Sequence, residues 1–424
     1  MTDFNSRAEQ NARMRARADY FRWLNKYYGS TELTEMSDEP EPVSLRQIFV
    51  PMRIGTKNLD EAGMAKPAEV RNKESKDRLP GQDAFELIAK QPFVCLSGLP
   101  GSGKTTLTKA LVGELCSNHP SSLRAALFAR RGIAPIPVIL REIQGIARIR
   151  DFDGLMQAWW QNLQKRSEQG DPLDIERLKQ SFSRQGENFP LLILFDGIDE
   201  TGGPDVRTKI IEMAAHAYNA FGCRVLVTGR PNGFQDLSLD ESTYFKNTDN
   251  MGNINTLKSV ALGISLVDIG FHSTTIVLDC VYYLLPLTWP QIEQFIGRWY
   301  RLRPEWEIKR IEGTQHFLEA LQDANRPHLL TLARRPIFLT LMALVHCTRN
   351  EMPHGRADLY EAIVDLYLNR QERHRQLKYA VKGHSLKVWP TLEKRRVLAR
   401  IAYASQVRGS DTQESRANPD QRRI

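Results

Sequence analysis

Gly98-Leu99-Pro100-Gly101-Ser102-Gly103-Lys104-Thr105 restricts the fold of this chain more than any other stretch in it. An apolar run, Phe93 to Leu96, precedes it and a helical run, TTLTKALVGEL, follows, so the order is strand, glycine loop, helix. Glycines let the backbone bend until successive N–H groups face one concavity, where the helix N-terminus adds partial positive charge. That geometry suits a polyphosphate. Lys104 is placed to reach its β- and γ-phosphates and the Thr105 hydroxyl to ligate Mg²⁺. Gly98, Leu99, Pro100, Gly101, Ser102, Gly103 and Thr106 complete the expected nucleotide-binding set.

Further apolar runs separated by helix-length segments follow, namely IPVILRE, LLILFDG and RVLVTGR. They predict a parallel sheet with crossover helices, an α/β P-loop domain, and the segments after Pro286 predict an all-α subdomain behind it. Leu191 to Asp196 is a strand ending in a carboxylate, which in such a domain belongs to the Mg²⁺ shell. Asp199 or Glu200, just into the following turn, is placed to orient or polarise an attacking water. Arg224 to Thr228 is another strand, and Arg230 beyond it lies where parallel strands deliver residues to a ligand. A γ-phosphate contact is the role expected of it.

Cys95, Cys116, Cys223, Cys280 and Cys347 are far apart, with no zinc or disulfide spacing. The N-terminus, Met1 to Tyr28, carries Arg7, Arg13, Arg15, Arg17 and Arg22 and no uninterrupted apolar core of the kind a signal peptide needs. The most apolar long stretch, Val260 to Leu287, is broken by Asp268, His272 and Asp279, which argues against a membrane span. A cytoplasmic location is the expectation. Net charge is +8, yet residues 369–424 alone carry 14 Lys or Arg against 5 Asp or Glu. A basic tail of this kind is compatible with nucleic acid as a partner, although no reader motif or aromatic interleaving accompanies it.

Four segments are expected: an N-terminal helical segment and linker (1–80), the nucleotide domain (81–285), the helical subdomain (286–385) and a last segment (386–424). In the first, Met14, Ala18, Phe21, Leu24 and Tyr28 suggest one amphipathic face, and Val43 to Ile54 a short extended element. In the last, Leu392 to Val407 reads as a helix, and Gly409 to Ile424 as frayed chain.

Taken together, GLPGSGKTTL, IPVILRE, LLILFDGIDE and VLVTGRP resemble the NACHT domain of the STAND class of P-loop NTPases. LPLTWPQIEQFIGRWY, LARRPIFLTLMALVH and MPHGRADLYEAIVDLYL are similar to its following helical segments, so the resemblance runs from about Ser44 to Leu368. It implies an ATPase core with ATP (or GTP) and Mg²⁺, Pro336 packing near the base, and self-association under nucleotide control. Bacterial antiphage sensing and innate-immune-like signalling are the settings it implies, with an unidentified effector or trigger. The stretch from Asn232 to about Thr275 is longer than the family's. The family continues into a winged helix and a sensor array, of which only a first helix is expected here. A nucleic-acid-stimulated P-loop motor, suggested by the basic tail, is the competing expectation.

Overall fold

The computed structural model describes residues 2–29, 44–55, 81–116, 133–168, 171–182, 191–235, 237, 264–265, 277–278, 281–302, 310–349, 351–380 and 390–417. The predicted linker over 57–80, the acidic stretch 32–43, Cys280 and most of the 232–275 insert lie outside these residues.

Chain order begins with α1 (Thr2–Tyr28), α2 (Leu45–Ile48) and β1 (Arg53–Gly55). Next come β2 (Gln82–Asp83), α3 (Ala84–Lys90), β3 (Phe93–Ser97), α4 (Lys104–Leu115) and β4 (Ala134–Ile139). They are followed by α5 (Phe152–Ser167), α6 (Ile175–Phe182), β5 (Leu191–Asp196), α7 (Pro204–Phe221) and β6 (Arg224–Gly229). A short ribbon, β7 (Ile264–Ser265) and β8 (Val277–Leu278), precedes β9 (Val281–Leu284). The remainder is helical: α8 (Trp289–Arg301), α9 (Arg310–Gln322), α10 (Pro327–Ala333), α11 (Pro336–Arg349), α12 (Arg356–Ala380) and α13 (Thr391–Ala417).

The main sheet has the order β2-β1-β9-β3-β6-β5-β4. From β9 to β4 neighbouring strands are parallel, and β1 and β2 extend the far edge antiparallel. Helices cover both faces, which is why β3 and β5 read as uninterrupted apolar runs; every residue of β3 is buried, as is β5 from Leu192 onward. Register matters for the site. Leu96 pairs with Thr228, and Thr228 with Asp196, so β6 stands between the strand feeding the glycine loop and the strand ending in the acid.

The β4 edge is closed by chemistry legible in its sequence. Pro135 and Pro137 have no N–H to offer a further strand. Their carbonyls accept from buried side chains, Tyr20 Oη at 2.9 Å and Trp159 Nε1 at 2.8 Å. Tyr20 meets Trp159 and Phe182 edge-on, so α1 is fastened to α5, α6 and the sheet edge. The buried face of α1 is Ala16, Tyr20, Trp23, Leu24 and Tyr28. This corrects the expected stripe: Met14 is 58% exposed and Ala18 is also outside. The face is set by the rings that reach the edge carbonyls and not by the smaller apolar residues. In 44–54, where an extended element is expected, one helical turn (α2) precedes β1.

Two compact units result, Met1–Ala343 and Leu344–Ile424. Within the first unit, backbone and side-chain hydrogen bonds join segments far apart in the chain. Gln291 Nε2 donates to Pro51 O at 2.6 Å, Arg298 donates to Phe49 O, and Leu287 N donates to Arg334 O at 2.9 Å. In the second unit Arg395 bridges Glu361 and Asp365, joining α13 to α12. Helix α13 runs to Ala417, through part of the stretch predicted to fray. No single helix among the described residues is long and apolar enough to cross a membrane.

Candidate nucleotide site

Three strand ends build the site. The loop after β3 holds its shape through glycines: Gly101 and Gly103 have φ of 73° and 95°, a left-handed region costly for other residues. Neighbours add a second constraint. A Cβ on Gly101 would strike Ile337, and one on Gly103 would lie 2.5 Å from Met52 Cε. Gly103 then caps α4, its carbonyl accepting from Leu107 N at 2.8 Å.

Lys104 folds over this loop, donating from Nζ to Gly98 O at 2.5 Å and Leu99 O at 3.3 Å. Burial lowers its pKa; Arg230 lowers it further, while Asp199, Asp196 and Glu200 pull the other way. These groups therefore share one electrostatic neighbourhood. Ser102 Oγ is buried with no hydrogen-bond partner among the described residues. Thr105 and Thr106 follow, half-buried, on the first turn of α4; Leu99 is half-buried and Pro100 exposed at the loop's outer rim.

β6 ties the loop to the acidic turn. Gly98 N donates to Gly229 O and Gly197 N to Thr228 O, each at 3.1 Å. The Thr228 hydroxyl donates to Asp196 Oδ1, holding a carboxylate that is only 7% exposed. Gly197, at φ 87°, swings the chain into the short 3-10 turn Ile198–Glu200. Thr228 was not among the expected site residues, since a β-branched residue in a strand reads as core.

The turn separates its two remaining acids. Asp199 is 7% exposed and accepts from the Arg230 backbone N at 2.9 Å and from Arg230 Nε at 3.1 Å. Glu200 is 37% exposed and meets Arg141 Nη1 at 3.4 Å. Sequence alone left the two acids interchangeable; here one is tied to Arg230 and the other projects outward. Arg141, after β4, was likewise not anticipated, although it lies within the IPVILRE run. Pro336 sits beside the loop, its Cγ 3.5 Å from where a Cβ on Gly103 would lie, and Ile337 N donates to Gly101 O at 3.3 Å.

The donor set fits a triphosphate and a hard cation. It offers an ammonium and backbone amides for phosphate, a buried hydroxyl in the loop, and a carboxylate with one oxygen held by Thr228.

Residues 82–230 match the family described as Nephrocystin 3, N-terminal, a span from β2 to Arg230 that contains all three strand ends. A comparison with curated proteins finds no match. Among 35 matching chains of solved structure is the Walker-type ATPase of Pyrococcus abyssi, at 14% identity and TM-score 0.34, covering 75% of this chain and 78% of that one. Another is Cdc6p from Pyrobaculum aerophilum, at 13% identity and TM-score 0.24, covering 80% and 90%. The largely parallel sheet with a glycine loop between β3 and α4 is an α/β fold of the P-loop kind.

Proposed function

We propose that this protein is a NACHT-type switch that binds ATP with Mg²⁺, hydrolyses it slowly, and self-associates in the ATP state. The observation that supports it most is the contact of α11 with the phosphate loop, through Ile337 N to Gly101 O and the packing of Pro336 near Gly103. A helix that follows the sheet in sequence thereby touches the loop that would hold the phosphates, and a change at one has a short route to the other.

In this reading Lys104 leaves the loop carbonyls for the β- and γ-phosphate oxygens, a charged partner replacing two dipoles. Thr105 and Asp196 would hold Mg²⁺, which when bound would neutralise charge on the phosphate oxygens. Glu200 accepts a proton from the attacking water, and Asp199 keeps Arg230 aimed at the site. Arg230 then meets negative charge at the γ-phosphate. A role in antiphage or innate-immune-like signalling, in the cytoplasm, accords with the four sheet motifs.

Light scattering with and without ATP and Mg²⁺ tests the switch. Assembly is expected for the wild type and lost in Lys104→Ala; identical behaviour of the two would reject it. Turnover that rises with DNA at low salt would favour the motor instead.

A further inference from the structure

Arg207, near the start of α7, is buried, and its guanidinium donates from Nη1 to the carbonyl of Asn232. Asn232 belongs to the short 3-10 turn Pro231–Phe234, which begins directly after Arg230. Gly233 N donates to Arg230 O at 2.8 Å, so the turn is hydrogen-bonded to Arg230 itself. Its other side packs on the acidic turn: a Cβ on Gly233 would lie 3.1 Å from both Asp199 Cβ and Ile198 Cγ2. The segment after β6 is thus clasped between α7 and the turn that carries Asp199.

Arg230 needs such support. Its side chain is half exposed, so packing does not fix its direction. Asp199 does, accepting from both the backbone N and the Nε of Arg230. Two bonds from different parts of one residue to one carboxylate persist only while the main chain at 230 keeps its distance from Asp199. The turn sets that distance, and Arg207 holds the turn to α7.

The residue type points the same way. A neutral carbonyl is a weaker partner for a buried cation than a carboxylate, and an apolar side chain would fill the same place with less desolvation. Packing alone therefore gives little reason for an arginine. Its planar, always charged fork fixes the direction of a hydrogen bond, which is what holding a backbone segment in place requires.

We propose that Arg207 is a positioning residue for Arg230: by holding residues 231–234 to α7, it keeps Arg230 and Asp199 aimed together at the terminal phosphate. The inference rests on the reading of Arg230 as a γ-phosphate contact, and the test separates the two.

The test measures the affinities of the full chain for the fluorescent analogues mant-ATP and mant-ADP, with Mg²⁺, in single and double variants. Arg230→Ala is expected to lower the ratio of mant-ATP to mant-ADP affinity about tenfold, the worth of a charged hydrogen bond. Arg207→Met should lower it by a similar factor, with mant-ADP affinity held within about twofold, and should add nothing further in the Arg230→Ala background. Arg207→Lys, which keeps the charge but not the fork, should fall between Arg207→Met and the wild type. Gly233→Ala presses on the same turn from its other side and should lose part of the same preference, which keeps the test open if Arg207→Met fails to fold. Equal weakening of both analogues in Arg207→Met, or a loss that adds in full to that of Arg230→Ala, would overturn the proposal and leave the role of Arg230 standing. So would an unchanged ratio in both Arg207→Lys and Gly233→Ala. An unchanged ratio in Arg230→Ala would overturn both readings.

Discussion

The phosphate loop and the acidic turn end neighbouring parts of one sheet and are held in opposite ways. Residues 98–103 keep their shape through backbone conformation and close packing, with left-handed glycines against Met52 and Ile337. Residues 196–200 keep theirs through side-chain charge and hydrogen bonds: Thr228 on Asp196, Arg230 on Asp199, Arg141 on Glu200. The first arrangement tolerates changes of pH and salt but not of shape. The second depends on charge as well, beside the left-handed Gly197 that starts the turn.

The largest expected effect tests the division of labour within the turn. Glu200→Gln should lower ATP turnover by about 10²- to 10⁴-fold, the usual worth of a general base, with fluorescent-nucleotide affinity unchanged. Asp199→Asn should instead loosen Arg230 and weaken nucleotide affinity; if it alone stops turnover, the two acids are misassigned. Lys104→Met should cost roughly 10- to 100-fold in nucleotide affinity, the range of a charged hydrogen bond. The same variant should melt no lower than the wild type. Because burial depresses the folded-state pKa of Lys104, the unfolded chain binds more protons between that value and 10.5, and the wild type gains stability as pH rises through this window. Denaturant titrations across it should show a flatter rise for Lys104→Met.

Gly103→Ala attacks the loop's shape and should destabilise by at least about 1–2 kcal/mol from the left-handed backbone alone, read as a lower melting temperature. Thr228→Val keeps volume and removes the hydroxyl on Asp196, at about 1–2 kcal/mol, with a higher Mg²⁺ requirement for nucleotide binding. Arg141→Ala should be smallest, within about 0.5 kcal/mol in stability, because its pair with Glu200 is long and exposed. A larger loss would mean that the outer acid is held as firmly as the inner one.

What the sequence disclosed follows the same divide. Strands buried on both faces leave unbroken apolar runs, and a loop that depends on backbone shape leaves glycines at fixed spacing, so both were legible. The segments after Pro286 read as helical from their spacing, and helices stand there. Roles that depend on which way a side chain points were not. Asp199 and Glu200 are chemically similar neighbours, and only the turn after Gly197 sends one inward to Arg230. Thr228 looks like any strand residue until its register with Asp196 is known. The two-residue pairing of β1 with β2 is too short to leave a pattern. The buried face of α1 was misjudged because spacing alone does not reveal that Tyr20 has a carbonyl waiting for it.

The prolines of β4 reach beyond the fold of a single chain. A sheet edge recruits another strand only if it offers amides and carbonyls in alternation, and here Pro135 and Pro137 remove the amides whether or not α1 is in place. Displacing α1 would bare two acceptors without matching donors, a poor template for an incoming backbone. The β4 edge is therefore closed to strand pairing between copies of this protein, both in the folded chain and while it folds.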